Sequence, residues 1–189
     1  MSEIATLRQM LPATQTAEGE PLPHNIEAEQ QLLGAILTNN DIYDRIASLV
    51  RAEHFFDPVH QRIFEIAVAR IQKNALASPV TLKGYLEDDP GLKELGGPAY
   101  LARLAGAAIS SYAARDYAQM IYDLAVRREL IGLGRDISAR AQTIEVENDP
   151  KDQIVAAEQA LYKLGEQGHA EKGFVSFLKA GTEAVHSAA

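Results

Sequence analysis

The 189 residues contain no cysteine and no tryptophan. Without cysteine there can be no disulfide, thiolate zinc site, iron–sulfur cluster or cysteine nucleophile, and the composition fits a reducing compartment. A tightly held metal would have only five histidines and the carboxylates for ligands. Positive charge is also scarce. Lys and Arg number 18 against 26 Asp and Glu, a net charge of −8 with a pI near 5.1. The clustered cationic field that drives non-specific phosphate binding is therefore missing. No stretch approaches the roughly 18 to 20 apolar residues of a membrane span, and the MSEIATLRQM start lacks the basic and apolar segments of a secretory signal. The chain is expected in the cytoplasm, away from membranes. The phosphate loop G-x-x-x-x-G-K-[ST] is absent, as are H-E-x-x-H, G-x-S-x-G and the glycine-rich dinucleotide fingerprint. The expectation is no catalytic residue, no metal and no cofactor in this chain.

Helical signals, by contrast, recur along its length. Residues 1–22 are poor in large apolar side chains and read as a mobile leader. Asn25 then offers a cap, Glu27 and Glu29 suit the positive end of a helix dipole, and Ile26, Leu33, Ile36 and Leu37 share a face. This helix should stop near Asn39-Asn40. Asp41 is placed to cap a second, short helix with Ile42, Ile46, Leu49 and Val50 along it. Asp57-Pro58 starts a third, carrying His60, Ile63, Phe64, Ala67 and Ile71. Asn74 to Pro79 reads as a loop and Thr81 to Glu87 as a short helix. Pro90-Gly91 and Gly96-Gly97-Pro98 bracket another helical scrap, and Pro98 to Leu104 makes a further turn or two. No run of alternating β-branched residues appears, so the class is all-α.

From Ser110 to about Thr143 there is no proline. At 100° per residue, Tyr117, Met120, Ile121, Leu124 and Ile131 share one side, while Val126, Leu130, Leu133 and Ile137 lie roughly opposite. The apolar face thus changes side along one long helix, which implies that its second half packs on something other than its first. Asp149-Pro150 repeats the capping start, and Ile154, Ala157, Leu161 and Leu164 form a face able to fold back as an antiparallel hairpin. The division expected is a leader (1–22), a compact multi-helix head (23–109), a long-helix hairpin (110–166), a polar linker (167–173) and the start of another helix (174–189). Phe174, Phe177, Leu178 and Val185 mark that last helix, which is short enough to need a docking partner.

Bland readings suffice for the remaining polar clusters. His54, Asp57 and His60 lie close in sequence, and a capping Asp beside a packed His accounts for them. Asp88-Asp89, and Glu145, Glu147 and Asp149, read as solvated turns. Arg127, Arg128, Arg135 and Arg140 read as a solvated basic face interleaved with Asp123, Glu129 and Asp136. Gly34 and Gly106, on helices, suggest either close backbone approach or tolerated glycines.

One ordered set of motifs has a family counterpart. Leu22-Pro23-His24-Asn25-Ile26-Glu27-Ala28-Glu29-Gln30 followed by Leu33-Gly34-Ala35-Ile36-Leu37 resembles the N-terminal domain of bacterial replicative DNA helicases of the DnaB type. His54-Phe55-Phe56 with His60, Ile63 and Phe64 continues the resemblance, as do Thr81-Leu82 with Leu86, Gly96-Gly97 with Tyr100-Leu101, and Tyr117 with the run Ala125 to Leu130. Pro79-Val80 departs from the family, which has an acidic residue there. Together the motifs span about residues 22 to 185.

The resemblance implies a helical head and hairpin whose hairpins pair between subunits, from dimer to hexamer, to form a collar. It further implies docking of the primase C-terminal domain and a helicase loader as another candidate partner. ATP and magnesium would belong to a motor region outside this chain, DNA would be reached only through an assembled ring, and the setting would be the bacterial cytoplasm at the nucleoid's replication fork. Candidate assembly and primase contacts are Val126, Leu130, Ile131, Leu133, Ile137, Ile154 and Leu161. Phe174, Phe177 and Leu178 would dock the linker helix on a neighbouring subunit. The competing reading is a free-standing helical adaptor or regulator of a helicase ring. A small helical enzyme using His60 or loop carboxylates is disfavoured by the missing motifs.

Overall fold

The computed structural model describes residues 21–107, 113–143 and 149–167, and among these every regular element is helical. Eight α-helices and one 3-10 turn follow in order: α1 Ile26–Thr38, α2 Ile42–Ile46, the turn Ala52–His54, α3 Pro58–Ile71, α4 Pro79–Leu86, α5 Pro90–Glu94, α6 Pro98–Gly106, α7 Ala114–Gln142 and α8 Pro150–Gln167. The all-α expectation holds. No helix of the described residues is long and apolar enough to cross a membrane.

Local chemistry sets most boundaries. Asn25 Oδ1 accepts from the Ala28 amide at 2.9 Å and opens α1. Asp57 Oδ1 accepts from the Val59 amide at 2.7 Å and opens α3, with Pro58 at the position where a missing N–H costs nothing. Asp89 does the same for α5 through the Leu92 amide, at 2.8 Å. Two expectations fail here. Asp41 makes no side-chain cap, because its backbone is already helical and its carboxylate does not reach back to the first amides. Pro79, expected in the loop, is the first residue of a helix. Ser78 accepts from the Thr81 amide while Thr81 Oγ1 accepts from the Ser78 amide, a reciprocal cap that starts α4 at Pro79.

The head is organised around α1, which buries Ala28, Leu32, Leu33, Ala35, Ile36 and Leu37. α3 covers it with Val59, His60, Ile63, Phe64 and Ala67, and α6 with Tyr100, Leu101 and Leu104. Phe55 fills the space beside Phe64, ring centroids 4.9 Å apart. Gly96 and Gly97, with φ of 103° and 64°, make the reversal between α5 and α6 that a side chain would strain. α7 closes the head with its first half and leaves it with its second.

The face that α7 gives the head differs from the expected one. Its buried residues are Ala114, Ala118, Ile121 and Ala125; Tyr117 is half-buried and Met120 is 41% exposed. Small side chains let α7 lie close against α1, so alanine, not the larger neighbours, marks the contact. Met120 and Leu124 instead border a shallow cleft of about 350 Å³ with Asp116, Gln119, Asp123 and Arg127.

Candidate assembly surface and its anchoring

A buried polar chain ties α1, α3 and α6 together within the head. Gln30 Nε2 donates to Tyr100 Oη at 3.0 Å, Tyr100 Oη lies 2.6 Å from His60 Nε2, and His60 Nδ1 lies 2.7 Å from Glu29 Oε2. One assignment satisfies every member: Tyr100 donates to Nε2 and the Nδ1 hydrogen goes to the carboxylate. Glu29 also accepts from the backbone amides of Phe56, at 2.6 Å, and Asp57, at 3.3 Å. Glu29 and His60 are almost completely buried, so the carboxylate that looked like a helix-dipole partner is the hub that holds the turn before α3. Burial pushes the Tyr100 phenol above its ordinary range, against the hydrogen bond from Gln30.

Next to this hub, Arg128 anchors α7 as it leaves the head. Its guanidinium donates to the carbonyls of Pro23, at 2.9 Å, and His54, at 2.7 Å, and sits 5.6 Å from the centre of the Phe56 ring. His24 stacks on Phe56 at 4.2 Å. Burial lowers the Arg128 pKa, and the charges of Glu29 and Glu129 oppose that shift. The solvated reading therefore fails for Arg128, and it fails because carbonyl acceptors leave no complementary side chain in the sequence. Arg127 and Arg135 are exposed.

His54, beside the clasp, gives a pH test. Its Nδ1 accepts from the Arg51 amide at 3.1 Å, and its ring meets the edge of Tyr122 with centroids 5.1 Å apart. Burial pushes its pKa below the ordinary 6.5; Glu53 opposes this, while Arg51 and Arg128 add to it. On acidification the unfolded chain therefore takes up this proton before the folded one. Stability from the neutral ring is complete above about pH 6.5 and is lost as pH falls through the lower folded value. Unfolding free energies measured from pH 7.5 to 5 are expected to decline, and His54→Asn, whose side-chain oxygen can accept where Nδ1 does, should flatten part of that decline. An identical slope in the variant would remove His54 as its source.

Beyond Ala125 no residue of α7 is buried. α8 returns against α7 as an antiparallel hairpin, and Leu133, Asp136, Ile137 and Arg140 face Gln153, Ala156, Ala157 and Ala160 across a cleft of about 200 Å³. The fold-back face thus differs from the expected one. Ala157 lies in the seam and Leu164 is half-buried, but Ile154 and Leu161 are 60% and 48% exposed. On α7, Leu130 is 45% exposed beside the seam, and Ile137, which lines it, is still 40% exposed. At 100° per residue, in an antiparallel pair, Leu130 and Ile137 turn toward the same side of the hairpin as Ile154 and Leu161. Val126 and Leu133 are half-buried at the edge of that side, and Ile131 is exposed on the far edge of α7. Val155 and Tyr162, overlooked in the sequence, are also exposed, on the outer edge of α8. Two apolar residues at i and i+7 were the available signal.

The other clusters do not converge on chemistry. Asp57 caps α3, His60 is in the buried chain and His54 is at the clasp; among the described residues no three His, Asp or Glu side chains gather as a metal site. Asp89 is not solvated, since it caps α5 and pairs with Arg62 at 3.0 Å, while Asp88 pairs with Lys93 at 3.1 Å. A Cβ on Gly106 would meet nothing within 4 Å, so no close approach requires that glycine. Residues 1–20, Glu145, Glu147, and Phe174, Phe177 and Leu178 lie outside the described residues.

The head thus bears an arm with exposed large apolar side chains, and the sequence carries no nucleotide-binding motif of the phosphate-loop kind. The chain belongs to the DnaB-like helicase N-terminal domain family, whose pattern matches residues 21–123. It is 39% identical over 166 residues to the replicative DNA helicase DnaB of Rickettsia bellii (strain RML369-C), covering 88% of this chain and 33% of that protein. It is 33% identical over 128 residues to the replicative DNA helicase DnaB of Treponema pallidum (strain Nichols), covering 68% and 29%. The chain thus spans about a third of the length of these curated relatives. In fold it is similar to the N-terminal domain of DnaB helicase from Mycobacterium tuberculosis, with a TM-score of 0.68 at 23% identity over 76% of this chain and 99% of that one. A structure of a DnaB-like replicative helicase, described with its interactions with primase, matches with a TM-score of 0.56 at 21% identity over 87% of this chain and 36% of that one.

Proposed function

We propose that this chain is the collar-forming and primase-docking part of a hexameric replicative helicase acting at the bacterial replication fork. The observation that carries the reading is the distribution of side chains in the hairpin, where α8 gives the seam alanines while Leu130, Ile154 and Leu161, and Ile137 at the seam's edge, stay 40% or more exposed. Large apolar groups on the outside of an arm are stabilised only when another surface covers them. The assembly surface consists of these four with Val126, Ile131 and Leu133, and the primase C-terminal domain or a helicase loader takes what self-assembly leaves uncovered. The relative described with its interactions with primase supports that choice of partner. ATP hydrolysis, magnesium binding and strand translocation belong to a motor region outside this chain, and DNA is met through the assembled ring. Phe174, Phe177 and Leu178 dock the linker helix on a neighbouring subunit.

Light scattering after size exclusion, on the chain alone and with the C-terminal domain of its host's primase, tests the reading. Expected are concentration-dependent, even-numbered assemblies whose mass rises when the primase fragment is added. A strict monomer indifferent to that fragment would overturn the reading in favour of a free-standing adaptor.

A further inference from the structure

The three most exposed large apolar side chains among the described residues lie on the head, on and just before α4. Val80 is 83% exposed, and Leu76 and Tyr85 are each 63% exposed. Arg70 of α3 gathers two of them, donating from Nε to the Leu76 carbonyl at 2.8 Å and from Nη1 to Tyr85 Oη at 3.0 Å. Its guanidinium sits 5.5 Å from the centre of the Tyr85 ring. Thr81 Oγ1 donates to the same Leu76 carbonyl at 2.8 Å and fixes the loop to α4. The charge around this patch runs against that of the whole chain. From Ile66 to Leu86 the sequence has Arg70, Lys73 and Lys83 and no carboxylate, in a protein of net charge −8. α6, which packs on α4, adds Arg103 and no acidic residue. Glu65 and Glu87 bound the stretch, and Asp41 borders it beside Asn40, which is bonded to Ala77. Among the described residues none of Arg70, Lys73 and Lys83 pairs with a carboxylate. Arg70 is held by two neutral acceptors, so it keeps N–H donors and an unpaired charge for an acceptor from outside.

We propose that this face of the head, with Arg70 at its centre, Leu76, Val80 and Tyr85 around it and Lys73 and Lys83 at its rim, docks an acidic segment of another protein that carries apolar side chains among its carboxylates. One carboxylate takes the donors left on the guanidinium, a charge-assisted contact favoured because the guanidinium is already fixed in place. An apolar side chain of the same segment covers Val80 and Tyr85. Lys73 and Lys83 draw the remaining carboxylates in and set the direction of approach. A single strand of nucleic acid would meet the same cations, but three cations without a basic groove give a phosphate backbone little to follow, and Leu76 and Val80 offer it no donor. The face is separate from the hairpin surface, and the inference does not rest on what the hairpin assembles with.

Fluorescence anisotropy on the whole chain tests this, with a labelled peptide of aspartates around one leucine and one phenylalanine as the probe. Binding should saturate and should weaken as salt is raised from about 50 to about 500 mM. The same peptide with asparagine for each aspartate should bind about tenfold more weakly or worse, and so should the original peptide to Arg70→Gln, since each change removes a charge-assisted hydrogen bond. Val80→Asp places a carboxylate in the first turn of α4, where the helix dipole favours it, so the melting temperature should hold while binding is lost. No saturable binding, or equal binding by the asparagine peptide or to Val80→Asp, would overturn the proposal. Tighter binding of a thymine single strand, weakened by the same substitutions, would overturn it in favour of nucleic acid. Self-association of the chain that Val80→Asp abolishes would overturn it in favour of a second copy.

Discussion

His60→Ala is expected to destabilise the head by about 3–5 kcal/mol, the sum of a buried cavity and of buried hydrogen-bond partners left unsatisfied. The magnitude follows from what is left behind. Tyr100 loses its acceptor, a cavity opens between α1 and α3, and Glu29, almost completely buried, keeps only the amides of Phe56 and Asp57. For a head of this size the melting temperature should fall by more than about 10 °C. Pairing it with Glu29→Leu should recover only part of the loss. A buried polar pair can often be replaced by apolar residues at little cost, but here Glu29 also satisfies two backbone N–H groups that leucine cannot. Calorimetry of the two variants decides the matter. A single substitution costing under about 1 kcal/mol would mean that the polar chain adds nothing that packing does not supply.

Leu130→Asp is expected to act in the opposite place, on association rather than on the fold. Leu130 is 45% exposed on the free arm, so an aspartate there stays in water and should change stability by no more than about 0.5 kcal/mol. In the proposed assembly the same carboxylate would be covered without a partner, which costs several kcal/mol. A loss of about 3 kcal/mol weakens a dissociation constant by roughly a hundredfold. Sedimentation equilibrium across a range of concentrations, with thermal melting on the same samples, separates the two effects. Unchanged association at unchanged melting temperature would remove Leu130 from the contact.

Capping chemistry is the part of this fold that can be read from sequence. Asn25, Asp57 and Asp149 lie next to the amides they accept from, so a few consecutive residues hold both partners. Where the signal is equally local but weaker, the reading shifts, as with Ser78 and Thr81, whose reciprocal cap extends α4 back to Pro79. Asp41 shows the limit of residue type alone, since a good capping side chain does nothing when its own backbone is helical. Long-range features follow other rules. The contact of α7 with the head is made chiefly by alanines, which a search for large apolar side chains passes over. Arg128 reaches carbonyls 105 and 74 residues away in sequence, and a carbonyl is present at every position, so nothing marks the pair. Among the interface candidates, the two-sided character of α7 was legible from period alone. The outward turn of Ile154 and Leu161 was not, because a face that can fold back and a face that stays open have the same 3.6-residue period.

The alanine seam of the hairpin carries a thermodynamic consequence. Ala156, Ala157 and Ala160 bring little apolar area into the contact between α7 and α8, so the separate arm gains little from folding on itself. In the proposed assembly the larger gain comes when the exposed parts of Leu130, Ile137, Ile154 and Leu161 are covered by a second molecule. In that assembly, folding of the arm and binding of its neighbour would be linked equilibria, and total chain concentration would be a variable of structure as well as of stoichiometry. The head, with its own core and buried polar chain, stands outside that linkage. One polypeptide would then join a part whose order is intrinsic to a part whose order is set by mass action.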